Sequence, residues 1–150
     1  MTTRRRMRSR PDWWLGLLQS ALLLPVIKML LVMRGFRRTV DFLRRTSPEG
    51  EPASGAGAPV PGSVTVMASA VTTIAATPVL RSRCLARSLT LWWLARRHGH
   101  ELELIMGVAP PASGVLQAHA WVEYGGTPLN DTDDVRERYS ALPSPTGRAD

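Results

Sequence analysis

The chain has 150 residues and a net charge of +7, which its two parts carry unequally. Residues 1–45 hold 11 Lys/Arg against two acidic residues, whereas residues 46–150 hold 8 against 10. This length predicts one domain with an appended segment, and a single cysteine excludes a disulfide framework and favours a reducing, cytoplasmic compartment. Basic charge confined to one end disfavours nucleic-acid binding and fits a membrane surface or an anionic peptide better.

The N-terminal region, residues 1–45, is predicted to be a basic, apolar helical segment. Its centre, "WWLGLLQSALLLPVIKMLLVM" at 13–33, contains one charge and is long enough to span a bilayer. Three interpretations stay open: a helix docked on the domain, a helix lying in a membrane interface, and a true span. Peripheral membrane association through residues 13–45 is therefore an expectation. Pro25 is expected to kink or divide this helix because it removes a backbone donor.

The composition then changes twice along the chain. Residues 46–62, "TSPEGEPASGAGAPVPG", are almost entirely Pro, Gly, Ala, Ser and Glu, and are predicted to be a flexible linker. The globular domain is predicted to span residues 63–140. Residues 141–150 are predicted to form a disordered tail.

Two helices are predicted at the start of the domain. Apolar residues recur every three or four positions from Val64 until Pro78 interrupts the pattern. The second helix is predicted from Cys84 to Arg97, because arginines fill its last turn and Gly99 follows as a C-cap.

Two strands with alternating apolar residues follow. "ELELIMGV" at 101–108 is predicted to bury one face, made of Leu102, Leu104, Met106 and Val108. "QAHAWVEY" at 117–124 alternates again, and a glycine pair then leads into a short strand that ends near Asp131. Helices followed by an antiparallel sheet define an α+β fold.

Cys84 is the candidate nucleophile because it opens a helix. The free N–H groups and the positive dipole of a first helical turn favour a thiolate and can stabilise an oxyanion. Arg81 and Arg83 add positive charge nearby. The alternative is an inert packing residue, since free cysteine is among the most buried residue types.

His119 and Asp131 are the candidate base and orienting acid, and their relation depends on the hairpin register. A lone histidine within a strand is commonly structural. A three-residue loop, 124–126, would pair Glu123 with Thr127 and put His119 opposite Asp131, whereas a two-residue loop would turn Asp131 to the other face. We therefore expect the three-residue loop, with Asp131 accepting Nδ1–H and the other ring nitrogen taking the cysteine proton.

The remaining polar candidates are weaker. Asp133 would share the face of Asp131 two residues further on, and Asp134 is expected to be solvated. His98 and His100 end a helix, and an H-x-H pair with one cysteine does not make a convincing zinc site. The sequence thus implies no metal or other cofactor.

The order of these motifs resembles a known group of enzymes. A cysteine at a helix N-terminus, followed by a histidine and an aspartate on successive strands, resembles the transglutaminase-like and papain-like cysteine enzymes. More narrowly, "CLARSLTLWWLARRHG", "ELELIMGV" and "AHAWVEYGGTPLND" are similar to the stand-alone peptidase half of the lasso-peptide B protein. The similarity covers about residues 60–135.

This resemblance implies a leader peptidase of lasso-peptide maturation, with Cys84, His119 and Asp131 as its triad. It implies three partners: a precursor peptide with its leader, a small leader-binding recognition protein, and an ATP-dependent cyclase that acts afterwards. Residues 1–45 leave no room for the recognition domain, in agreement with the split form. Two alternatives stay open: acyl transfer to an amine on the same triad, and a non-catalytic membrane-associated adaptor in which Cys84 is buried and inert.

Overall fold

A computed structural model describes residues 10–77, 84–110 and 116–143. Its elements in chain order are α1 (Arg10–Arg45), α2 (Gly62–Ala76), α3 (Cys84–Arg97), β1 (Glu103–Ala109), β2 (Gln117–Tyr124), β3 (Thr127–Pro128), α4 (Val135–Arg138) and β4 (Ser140–Ala141). The strands form one antiparallel sheet in the order β3-β2-β1-β4, and α1, α2 and α3 pack together beside it. This architecture confirms the predicted α+β class.

The first helix is interrupted at Gly35 rather than at Pro25. Gly35 has φ 75° and ψ 173°, outside the helical region, and glycine adopts a positive φ without steric cost. Pro25 stays within the helix on an exposed side, where solvent can satisfy the carbonyl that lacks a donor. The helix is therefore divided at Gly35 and not at Pro25.

The helical segment α1 has one buried side. Leu24, Ile27, Val40 and Leu43 are each 3% exposed or less and join the packing with α2 and α3. Within the described residues, Trp14–Arg45 is the one helix long and apolar enough to cross a bilayer, and only 22% of its most apolar window is buried. Much of this apolar helix consequently faces outward.

The main core lies among α1, α2, α3 and one face of the sheet. Trp92, Leu89, Leu104 and Val122 are each 0% exposed and belong to one cluster. Burying side chains of this size stabilises the fold by roughly 2 kcal/mol each. The Trp92 Nε1–H donates to the Leu102 carbonyl at 3.0 Å, so the indole is buried without an unsatisfied donor.

The opposite face of the sheet is covered as well. Ile105, predicted on an exposed face, is 7% exposed and packs with Trp121, Val135 and Tyr139. The single buried face predicted for β1 is thus incomplete. The alternation in β1 could not show this second layer, because α4 comes from a segment some thirty residues further along the chain.

The proline- and glycine-rich segment 46–62 makes backbone contacts with the domain. The N–H of Glu51 donates to the Gly99 carbonyl at 2.8 Å, and the N–H of Gly57 donates to the Gly125 carbonyl at 2.8 Å. Composition predicts a flexible linker because it measures apolar side chains, and it does not report contacts made by the backbone. Flexibility of this segment stays a prediction.

Part of the predicted tail is hydrogen-bonded to the sheet. Ser140 and Ala141 pair with Val108 and Gly107 of β1, and the N–H of Leu142 donates to the Met106 carbonyl at 2.8 Å. Residues 144–150 of that tail lie outside the described residues.

Candidate active site

The hairpin between β2 and β3 has a two-residue loop. Tyr124 lies opposite Thr127 and Glu123 opposite Pro128, which leaves Gly125–Gly126 as the turn. Their φ angles of 56° and 82° are the positive pair that a type I′ turn requires. The predicted three-residue loop is therefore wrong, because two successive glycines adopt the tighter turn without strain.

Asp131 nevertheless reaches His119, with its Oδ2 2.5 Å from the imidazole Nε2. The second strand of the hairpin ends at Pro128, and its last backbone bond runs from the Leu129 N–H to the Val122 carbonyl at 2.9 Å. The chain then leaves the sheet. The alternation of faces that would turn Asp131 away no longer applies beyond that point.

Asn130 fixes the place where the chain leaves the sheet. Its Oδ1 accepts the Val122 N–H at 2.9 Å and so replaces the backbone carbonyl that a continuing β3 would offer. Its Nδ2 donates to Ser88 Oγ at 2.9 Å. Ser88 Oγ in turn donates to the Ala120 carbonyl at 2.9 Å. Asn130 is 6% exposed and Ser88 0%, so this is a satisfied buried network. No local sequence pattern reveals this network, because its members are far apart in the chain.

The nitrogen that meets the acid is Nε2, which corrects the predicted Nδ1. A neighbour directly across a strand pair would meet the ring close to its Cβ, whereas Asp131 comes from a loop and meets the outer edge. A carboxylate can only accept, so Nε2 carries the proton. Nδ1 of His119 is then the nitrogen with a free lone pair.

The carboxyl group of Asp131 is held ionised. Burial raises its pKa, but hydrogen bonds from His119, the Thr132 N–H and Arg138, together with the imidazole charge, outweigh burial and lower the pKa to about 2. The Thr132 N–H and Arg138 Nη2 donate to Oδ1 at 2.8 Å and 2.6 Å, which leaves Oδ2 to the imidazole. Asp131 can therefore orient the ring and stabilise an imidazolium.

Aromatic rings hold the imidazole from the other side. The rings of Tyr139 and Trp121 stack on His119 with centroids 4.8 Å and 6.0 Å away. Gly107 lies opposite His119 in the sheet, and a Cβ at that glycine would come within 2.9 Å of the Trp121 ring. The missing side chain at Gly107 thus makes room for the stack.

Cys84 is the first residue of α3 and a partly exposed free thiol. The N–H groups of that first turn have no carbonyl partner within the helix and carry its positive dipole, which favours negative charge on sulfur or on an adjacent oxygen. Among the described residues, the structure brings His119 and Asp131 into hydrogen-bonding contact but shows no hydrogen bond from Cys84 to either. Pro78, Arg81 and Arg83 lie outside the described residues.

One face of α3 bonds to the sheet. Ser88, one turn after Cys84 on the same helix face, bonds to the Ala120 carbonyl. Trp92, one turn further, bonds to Leu102 near the C-terminal end of β2. Cys84 is therefore on the side of α3 that faces β2.

A groove of about 540 Å³ leads to the aspartate. It is lined by α2, α3 and the segment after β3, through Ala68, Ser69, Thr72, Thr73, Arg87, Leu129, Asn130, Asp131 and Thr132. The Nε of Arg87 is buried and has no hydrogen-bond partner in the described part of the chain. An unsatisfied guanidinium nitrogen beside small hydroxyl side chains suits the carbonyls or a carboxylate of a polypeptide.

A second carboxylate, that of Glu123 on β2, lies away from this groove. Glu123 is 0% exposed, and its Oε1 accepts Trp121 Nε1–H at 2.7 Å. Arg136 donates to both of its oxygens at 2.8 Å and 2.6 Å. No local sequence pattern reveals this pair, because Arg136 comes from a segment beyond the hairpin.

The weaker candidates do not join the site. Asp133 is exposed, and the exposed Asp134 bonds to Thr132 and Arg138 instead. His100 Nε2 lies 3.0 Å from Ser63 Oγ. Over residues 10–77, 84–110 and 116–143, no three His, Cys, Asp or Glu side chains are grouped as metal ligands would be.

The structure is an α+β domain with a free cysteine at the N-terminus of α3 and a contact between His119 of β2 and Asp131 of the segment after β3. The chain belongs to the transglutaminase-like superfamily, whose family model matches residues 21–144. Members of that superfamily are usually cysteine-dependent enzymes. Searches of curated proteins and of solved structures each found no match.

Proposed function

We propose that this protein is a cysteine peptidase that removes the leader from a ribosomally synthesised lasso-peptide precursor, acting with a leader-binding recognition protein. The observation that carries the proposal is the Asp131–His119 contact, in a fold whose helix α3 begins with a partly exposed cysteine. An ionised acid on Nε2 leaves Nδ1 available to a thiol, which is the arrangement that thiol catalysis needs.

The chemistry follows from that arrangement. Cys84 gives its proton to His119 Nδ1 and its sulfur attacks the carbonyl at the leader–core junction. N–H groups of the first turn of α3 stabilise the oxyanion. The imidazolium then protonates the leaving amine, which becomes the N-terminus of the core peptide. Water hydrolyses the leader thioester and restores the thiol, while Asp131 keeps the ring oriented throughout.

The lasso-peptide assignment is supported by the way the resembling motifs are used. In "CLARS", Cys84 and Ser88 share one helix face, and Arg87 lines the groove. The "GV" of β1 supplies Gly107 beneath the aromatic stack, and "HAWVE" supplies His119 with its stacking tryptophan. The motifs thus supply the proposed nucleophile, the base and its stacking support, while Arg87 and Asp131 border a groove with room for a peptide.

The test is mass spectrometry of a leader-bearing precursor incubated with this chain and its recognition protein. We expect one cut in the precursor with the wild type and at least about 10³-fold slower cleavage with Cys84→Ala, because the triad acts as a unit. A thioester adduct of the leader on Cys84 should be detectable by intact-protein mass in a rapid quench. Cleavage that persists in Cys84→Ala contradicts the proposal.

An added amine separates hydrolysis from acyl transfer. The same reaction is run with excess hydroxylamine or a primary amine, and the leader's new C-terminus is weighed. A free carboxylate supports the peptidase. Two results favour acyl transfer instead. One is an amide at the leader's new C-terminus in the reaction without added amine, and the other is the absence of turnover until an amine is supplied. An unreactive Cys84 toward iodoacetamide in the folded protein would favour the adaptor.

A further inference from the structure

The outward side of α1 is a continuous apolar surface. Its large side chains are 47–82% exposed, namely Trp14, Leu15, Leu18, Leu22, Val26, Met29, Val32 and Met33. At about 100° per residue they fall within one arc of roughly 120°, in which the only other residue is Pro25. The surface, which we call the α1 outer face, is roughly 29 Å long. Soluble monomers rarely leave so large an apolar patch uncovered.

The opposite side of the same helix is already occupied. Ser20, Leu24 and Ile27 are 1% exposed or less, and the helix packs on α2 and α3. A transmembrane orientation would strip this packing from the domain. The helix can instead keep the domain on one side and present the α1 outer face to another surface, so that it lies flat.

Positive charge lies along and beyond that face. The side chains of Lys28, Arg34, Arg37, Arg38, Arg44 and Arg45 are all exposed, and none forms an ion pair with another described residue. Residues 1–45 carry 11 basic against two acidic residues. A second copy of the chain would bring two such segments together and repel. A surface that is apolar beneath and anionic at its boundary matches both properties.

We propose that the α1 outer face docks this protein on an anionic phospholipid bilayer, with α1 lying in the plane of the interface and the globular domain on the aqueous side. The apolar side chains enter the boundary between headgroups and acyl chains, and the arginines contact lipid phosphates. Docking is independent of the peptidase activity, because the residues of the α1 outer face lie on a different helix from Cys84.

Flotation of the full chain with lipid vesicles tests this. We expect partition onto phosphatidylcholine vesicles containing phosphatidylglycerol, at least about tenfold stronger than onto pure phosphatidylcholine and weakened by salt. The double variant Leu18→Glu/Leu22→Glu should lower partition by at least about tenfold. A matched control, Leu116→Glu/Leu142→Glu, alters two exposed leucines elsewhere and should float like the wild type.

Each other occupant gives a distinct result. A wild-type chain that stays in solution, or a face variant that floats equally well, overturns the proposal. A dimer by light scattering that Leu18→Glu/Leu22→Glu converts to a monomer, with no flotation, assigns the face to a second copy. Equal binding to neutral and anionic vesicles, unchanged by Arg37→Gln/Arg38→Gln, refutes the anionic requirement. Circular dichroism of each variant confirms that the fold is retained.

Discussion

Each end of β2 carries a pair of an acidic and a basic side chain, and the two pairs suit different tasks. At the start of the strand His119 meets Asp131, and near its end Glu123 meets Arg136. Both partners come from the segment 131–138. Yet the side chains of His119 and Asp131 are 16% and 13% exposed, whereas that of Glu123 is 0% exposed.

The difference lies in which bonding positions stay open. Both oxygens of Glu123 are filled, by Arg136 and the Trp121 indole, so nothing can reach this carboxylate. The imidazole of His119 has one nitrogen filled by Asp131 and the other directed away from that contact. Removing one partner of a buried ion pair whose bonding positions are all filled destabilises a fold, whereas a histidine with one free nitrogen can move a proton.

The largest effect that this comparison predicts is on rate. His119→Ala should slow precursor cleavage by at least about 10³-fold, because both proton transfers use its ring, while the free energy of unfolding falls by no more than about 2 kcal/mol through the lost stacking and the lost bond to Asp131. Cleavage rates and urea unfolding of the same preparation measure the two quantities. A variant that loses both equally would mark His119 as structural.

Variants of Asp131 and Asp133 test which carboxylate orients His119. Asp131→Asn should slow cleavage less than His119→Ala does, and Asp133→Asn, the matched control two residues away, should leave the rate unchanged. If Asp133→Asn proved the more damaging, the orienting acid would be misassigned.

At the other end of the strand the effect should fall on stability. Glu123→Gln should lower the free energy of unfolding by about 2 kcal/mol, because an amide nitrogen in place of Oε2 cannot accept from Arg136 Nη2 and the charge opposite the guanidinium is lost. Cleavage below the unfolding transition should change only a few-fold. Denaturant titration with parallel kinetics checks this. A variant as stable as the wild type but inactive would reverse the two roles.

The smallest expected effect is on the free energy of unfolding at acidic pH. The pKa of Asp131 is lowered from 3.8 to about 2 in the folded state, so its pair stabilises the fold above pH 4 and this contribution is lost as pH falls toward 2. We expect a loss of at most about 2 kcal/mol over that window, absent in Asp131→Asn. Unfolding curves of both proteins between pH 2 and pH 5 measure it. Parallel pH profiles would contradict the assignment.

The sequence predicts well those helices and strands whose ends are set by neighbouring residues. The bounds of α3 and β2 agree with the sequence, because capping residues and alternation define them within a few positions. The pairing of His119 with Asp131 was expected for an incorrect reason. The register was wrong by one residue, and the contact survives because Asn130 ends the ladder early.

Features that depend on distant segments were not predictable in the same way. The covering of Ile105 by α4 and the pairing of Glu123 with Arg136 both need the chain to return across the sheet. The α1 outer face was hidden for a different reason. A helix that is apolar on nearly every side gives no periodicity from which to tell the docked side from the exposed one.

The hydrogen bond from the Val122 amide to the Asn130 side chain has a further consequence. In most of a sheet an amide proton exchanges with solvent only when neighbouring strands separate. The Val122 proton is instead protected by the loop that carries Asp131, so its exchange rate reports the opening of that loop. Hydrogen exchange at the Val122 amide therefore measures how often Asp131 moves away from His119.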